Sequence, residues 1–202
     1  KAILKTNSFG YDGKGQFRIN SETNLFEIWE KLGAVECVLE ELLDFKREIS
    51  IMYFKSADNT DGFFPLSENI HQDGILKKTI APAILNDTIK QDLKLKTKEL
   101  SNNLNFYGIL AIELFELVDG SIIFNEIAPR PHNSFHWTID GCDNSQFDIL
   151  VRTICGLPVK DVSYNGKWEM TNIIGDDIET LTDVYKNQNY LLNLYGKKNV
   201  KS

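Results

Sequence analysis

The chain has 202 residues, enough for one large domain or a domain with a small appendage, and 42% hydrophobic content can furnish a core. With 22 basic against 29 acidic side chains the formal charge is −7, which argues against a general binder of nucleic acid, so any phosphate bound is small and held locally. Cys37, Cys142 and Cys155 match neither a disulfide framework nor a zinc spacing, the apolar run over residues 108–118 is broken by Glu113 and Glu116, and no signal peptide opens the chain; a cytoplasmic protein with reduced thiols and no membrane contact is expected. "KAILKT" lacks an initiator methionine and "LYGKKNVKS" ends without closure, so a fragment of something longer is expected.

In chain order, Asp12-Gly13, Asp61-Gly62 and Asp119-Gly120 each sit between runs of aromatic and branched residues, which predicts three hairpins and a mostly antiparallel first two-thirds. Between the second and third lies "APAILNDTIKQDLKLKTKELSNNLNF", where Ile89, Leu93, Leu100 and Leu104 fall near helical spacing and the lysines form a solvated face. A second helix is predicted from Ser145, with Gly156 as its stop. The polar tail reads as a small β-rich C-terminal appendage. The fold class expected is α+β, largely antiparallel sheets with flanking helices.

The third hairpin carries the most chemistry. A two-residue Asp119-Gly120 turn would pair Val118 with Ser121 and place Glu113 directly opposite Glu126. Like charges so placed, β-carbons about 5 Å apart, destabilise a sheet unless something neutralises them. A bridging hard cation such as Mg²⁺ is one remedy, and an open, solvated face is the other. The next stretch, "APRPHNSFHW", crowds Arg130, His132, Asn133, Ser134 and His136 into seven residues, a loop suited to a small anion. A zinc pair at His132 and His136 would need a helix that Pro129 and Pro131 oppose. Earlier, "GYDGKGQ" fails both the P-loop and the GxGxxG patterns, so a plain turn and a phosphate-holding loop both stand; Gly10 and Gly15 exceed what a turn needs, and Lys14 adds a charge at the tip.

Together, "KT…FGYDGKGQ", "ECVLEE…FKREIS", "PLSENIHQDGIL", "AIELF", "NEIAPRPHNSFHWT" and "SQFDILVRTICGLP" resemble the ATP-grasp family of 5-(carboxyamino)imidazole ribonucleotide synthases. The resemblance implies an ATP-grasp fold with a lid subdomain over 1–42, a larger subdomain over 43–158 and a small C-terminal domain over 159–202. It implies ATP contacts from Lys5, from a lid of Gly10, Tyr11, Asp12, Gly13, Lys14, Gly15 and Gln16, from a hinge of Glu40, Glu41, Leu42 and Leu43, and from Glu48, His71, Asn125 and Glu126. Glu113 and Glu126 match the family's Mg²⁺ ligands. Arg130, His132, Asn133, Ser134 and Lys197 would hold bicarbonate and 5-aminoimidazole ribonucleotide, with Arg130, His132 and Lys14 in the chemistry. A homodimer, common in the family, is carried over as an expectation. Family members also carry an N-terminal domain with no counterpart here. Phe135 stands where the family commonly has glycine, which implies a tighter loop around the substrate. A related ligase with another acceptor, or a nucleotide-binding module without catalysis, are the alternative readings.

Overall fold

The computed structural model describes residues 1–8, 15–175 and 181–196. Strands β1 (Ala2–Thr6), β2 (Gln16–Ile19) and β3 (Cys37–Glu41) form an antiparallel three-stranded sheet in the order β2-β1-β3. The Asp12-Gly13 turn lies outside the described residues; beside it the Thr6 amide donates to the Gly15 carbonyl at 2.8 Å. Helix α1 (Leu25–Lys31) starts at Asn24, whose side chain accepts from the Phe26 and Glu27 amides. The cap and the spacing of Leu25, Ile28, Trp29 and Leu32 signal this helix, although the sequence expectations passed it over; none of its residues is buried.

Residues 42–44 lead into the second, seven-stranded sheet, also antiparallel throughout. It comprises β4 (Phe45–Lys55), β5 (Asp61–Phe63), β6 (Ser67–Gln72), β7 (Ile75–Ala81), β8 (Gly108–Leu117), β9 (Ile122–Ala128) and β10 (Trp168–Thr171), in the order β10-β7-β6-β4-β8-β9 with β5 against β4. Asp61-Gly62 is not a turn, contrary to expectation: it lies inside β5, and the chain reverses over residues 56–60, where Asn59 takes a positive φ of 66°. Gly62 serves close packing instead, since a β-carbon there would meet the Phe54 ring at 2.4 Å. The tight reversal that an Asp-Gly pair does make is Asp73-Gly74 (φ 53° and 78°), joining β6 to β7 with Gln72 opposite Ile75.

Both faces of this sheet are covered, so β4 and β8 are apolar on both. Ile49 and Ile51 of β4 with Leu110, Ile112 and Leu114 of β8 face helix α2 (Asp87–Asn103), which begins at its Asn86 cap and buries Leu93. Ile89 and Leu100 pack beside them, but Leu104 is the C-cap and more than half exposed, because the helix ends before its turn comes round to the sheet. The alternate residues Met52, Phe54, Ile109 and Ala111 face Phe135 and Ile149, the latter on helix α4 (Gln146–Ile154). Ser145 caps α4 in a capping box with Asp148, and Gly156 follows at φ 64°, as the sequence predicts. In the C-terminal part, Val159 enters the same core, β10 adds to the edge of the large sheet at β7, and α5 (Leu181–Lys186) follows; among the described residues this region contributes one strand rather than a β-rich unit.

At the far end of the α2 face, Arg47 clamps Glu116: Nε donates to Oε2 at 2.5 Å while its other nitrogens reach Glu68 and the Ile84 carbonyl. Burial favours the neutral form of Glu116, but Arg47 and Lys46 outweigh it and hold the carboxyl below its ordinary 4.5. A depressed carboxylate stabilises the fold above the unfolded-state value and loses that contribution as pH falls through the folded-state value. Glu116→Gln is therefore expected to cost about 2–3 kcal/mol at pH 7, with the gap to the wild type narrowing in acid below 4.5. Urea unfolding at both pH values reads this directly.

Candidate active site

The rows of β4 and β8 that face α4 turn from apolar to acidic at one end. Glu48 continues the row of Met52 and Phe54, and Glu113 continues that of Ile109 and Ala111. His71 lies two residues beyond Asn69, the β6 partner of Glu48. Beneath these charges sits a buried polar layer that the sequence expectations missed: Asn69 donates to the Ser50 hydroxyl at 2.6 Å and Thr79 donates to Asn69.

Glu113 does sit opposite Glu126, but two departures cancel to put it there. The β8–β9 connection is a three-residue loop rather than two: the Leu117 amide donates to the Ser121 carbonyl at 2.9 Å, with Gly120 at φ 83°. Glu116 then pairs with Ile122 and Leu114 with Phe124, until a bulge at Asn125 advances the register and brings Glu126 across from Glu113.

The loop after β9 folds back over this pair. It passes Arg130 and enters a short 3-10 turn, Asn133–Phe135, followed by α3 (Thr138–Gly141). The His132 ring stands between the two carboxylates, Nδ1 at 3.8 Å from Glu113 Oε1 and Nε2 at 3.6 Å from Glu126 Oε1, and Nδ1 shares a hydrogen bond with the Ser134 hydroxyl at 2.8 Å. Glu113 is 8% exposed, and its Oε1 has no hydrogen-bond partner. Burial pushes the Glu113 carboxyl above its ordinary range, with His132 opposing and the Glu126 charge adding to the rise. Glu126 is shifted the other way, chiefly by His132, which at 3.6 Å acts through charge rather than a formed hydrogen bond; burial opposes, and Arg130 and Lys5 assist. On the other flank His71 Nδ1 lies 2.5 Å from Glu48 Oε2, close as an ion pair though not aligned as a hydrogen bond. Burial disfavours the His71 cation, but Glu48, backed by Glu113 and Glu126, prevails and raises its pKa.

Lys5 joins the group from the small sheet, its Nζ 2.6 Å from Glu40 Oε2 and its charge felt at Glu126. Asn125 occupies the bulge, Ser134 is fully buried, and the Asn133 Oδ1 is buried without a partner. Arg130 is exposed, with Nη1 on the Pro131 carbonyl. Gly15 immediately precedes β2 and Gln16 begins it, Glu40 and Glu41 end β3, and Leu42 and Leu43 lie in the connection between the sheets. Gly10, Tyr11, Asp12, Gly13, Lys14 and Lys197 lie outside the described residues. Phe135 does not tighten the loop around a ligand as its position implied: its ring is fully buried in the core, edge-on to Phe64 at 6.2 Å, because the 3-10 turn points it inward. The two histidines of the loop part company. His136 turns from the carboxylates to Tyr195, whose hydroxyl lies 3.0 Å from Nδ1, and to the Phe147 ring.

An orphaned buried oxygen on Glu113, facing a second carboxylate across the strand pair, fits a hard divalent cation. The cation would neutralise the repulsion between the two facing carboxylates.

The ATP-grasp domain model matches residues 1–147. N5-carboxyaminoimidazole ribonucleotide synthase of Bacillus subtilis is 38% identical over 201 residues, covering 99% of this chain and 53% of that protein. The crystal structure of an N5-carboxyaminoimidazole ribonucleotide synthetase in complex with ADP superposes with a TM-score of 0.91 at 40% identity, over 99% of this chain and 53% of that one. The Aspergillus clavatus synthase in complex with ADP and 5-aminoimidazole ribonucleotide gives 0.74 at 31% identity, over 91% and 50%. This chain spans about half the length of the curated relatives it matches. On its sheets, its facing carboxylates and this match, the chain belongs to the ATP-grasp family.

Proposed function

We propose that this chain carries the nucleotide and carboxylation site of an enzyme that uses ATP and bicarbonate to carboxylate the amine of 5-aminoimidazole ribonucleotide. The observation that carries the reading is the facing pair of buried Glu113 and exposed Glu126 with His132 between them, at the foot of the Arg130–Ser134 loop. Residues 1–42 act as the lid-bearing subdomain, 43–158 as the body and 159–202 as a C-terminal unit, in a cytoplasmic homodimer.

Lys5 and the lid over 10–16 hold the phosphates, residues 40–43 present backbone to adenine, and Glu48, with His71 beside it, receives the ribose. Glu113 and Glu126 would hold Mg²⁺, which would neutralise phosphate charge for the transfer. A bicarbonate oxygen attacks the γ-phosphorus, the bond to the ADP oxygen breaks, and carboxyphosphate forms. Its C–O bond then breaks to leave CO₂ and phosphate. The ribonucleotide amine adds to CO₂ and gives up a proton to phosphate. Arg130, His132, Asn133 and Ser134 orient the anions, Lys14 and Lys197 supply further positive charge, and the closed lid keeps water from the mixed anhydride.

The test is ADP release by the intact protein. Stimulation that requires both bicarbonate and 5-aminoimidazole ribonucleotide is expected; release that the ribonucleotide leaves unchanged, or that another acceptor stimulates in its place, contradicts the assignment.

A further inference from the structure

Helix α4 opens with a polar residue on its buried side. Gln146 shares the inward stripe of Ile149 and Thr153 and is fully buried. Its side-chain carbonyl accepts the His132 amide N–H at 2.8 Å, and its side-chain amide donates to the His132 carbonyl at 3.0 Å. Both bonds go to the backbone of one residue, so the side chain grips His132 as a neighbouring strand would. The grip is braced: the Gln146 backbone N–H donates to Thr138 Oγ1 at 3.0 Å, and that hydroxyl donates to the Phe135 carbonyl at 2.6 Å. The His132 ring has only Ser134, two residues along the same loop, as a hydrogen-bond partner among the described residues. Its place between Glu113 and Glu126 is thus inherited from its backbone, and its backbone is held from α4, which Ile149 anchors in the core.

We infer that Gln146 is a positioning residue, which sets the reach of His132, and with it the 130–134 loop, toward the acceptor half of the site. It is buried away from any ligand and acts only through His132. The inference rests on the loop's role under the proposed function. Because Lys5, Glu48 and the 42–43 connection hang on other elements, loss of the grip falls on the acceptor rather than on ATP. Among uncharged replacements of similar length, Met leaves the His132 N–H unmatched and its carbonyl with the Phe135 amide alone, whereas a protonated Glu offers the one donor and one acceptor that the amide uses here.

In the intact protein, Gln146→Met is expected to lower kcat/KM for 5-aminoimidazole ribonucleotide about 10–100-fold while the KM for ATP stays within about twofold. Gln146→Glu is expected to recover toward the wild type as pH is lowered, and Gln146→Met is not. Independently of any reaction, amide hydrogen exchange at His132 is expected to accelerate in Gln146→Met while that of Ile149 holds. Unchanged exchange at His132 overturns the inference whatever the protein catalyses. Accelerated exchange with an equal fall for both substrates, or with none for the ribonucleotide, overturns the selective positioning. A wild type that ignores the ribonucleotide instead overturns the proposed function, and the exchange result then decides the grip alone.

Discussion

Glu126→Gln is expected to weaken Mg²⁺-dependent nucleotide binding at least about tenfold, and turnover by more, while changing the stability of the folded protein by less than about 1 kcal/mol. Directly opposed carboxylates repel, but His132, Arg130 and Lys5 hold the Glu126 charge, so its removal relieves one interaction and loses the others at an exposed side chain. Glu126 is the member whose pKa is depressed, hence the ionised oxygen donor near neutral pH, and an amide in its place supplies no charge to a hard cation. Calorimetric titration of ATP with and without Mg²⁺, beside thermal melting, separates the outcomes: a Mg²⁺-dependent affinity equal to wild type would remove the bridging role.

The second large effect is on stability. Phe135→Ala is expected to destabilise the protein by about 3–5 kcal/mol, a large part of the roughly 5–15 kcal/mol that holds a typical domain together. The ring is fully buried among Met52, Phe54, Phe64, Ala128 and Ile149, and meets Phe64 edge-on, so truncation opens a cavity where both sheet and α4 converge. Melting should fall by roughly 6–20 °C in a chain of this size. Phe124→Ala, half exposed on β9, should change stability by less than about 1 kcal/mol and serves as the control. A loss below about 1 kcal/mol at Phe135 would contradict the packing described.

Helices α2 and α4 were legible because local chemistry and tertiary role agree: Asn86 and Ser145 cap them, an apolar stripe runs along each, and Gly156 follows α4. Asp-Gly pairs were less reliable, since Gly62 answers to the Phe54 ring across the strand pair while Asp73-Gly74 answers to the turn itself. Glu113 facing Glu126 was read correctly through a turn one residue too short, and only the bulge at Asn125 restored the pairing; no local signal announces such a bulge. The pairing of β10 with β7, far earlier in the chain, has no local signature either. His132 and His136 look alike in the sequence, and the 3-10 turn between them decides which meets the carboxylates. Gln146 left a trace: a long polar side chain on the buried stripe of a helix, in line with Ile149, needs a partner.

Bicarbonate labelled with ¹⁸O in the presence of ATP, Mg²⁺ and 5-aminoimidazole ribonucleotide tests the central claim most directly. Attack of bicarbonate on the γ-phosphorus predicts one ¹⁸O in each phosphate released by the intact protein. Phosphate that carries no label while ADP accumulates would mean that water, not bicarbonate, takes the phosphoryl group, and would contradict the carboxylation chemistry proposed for this site.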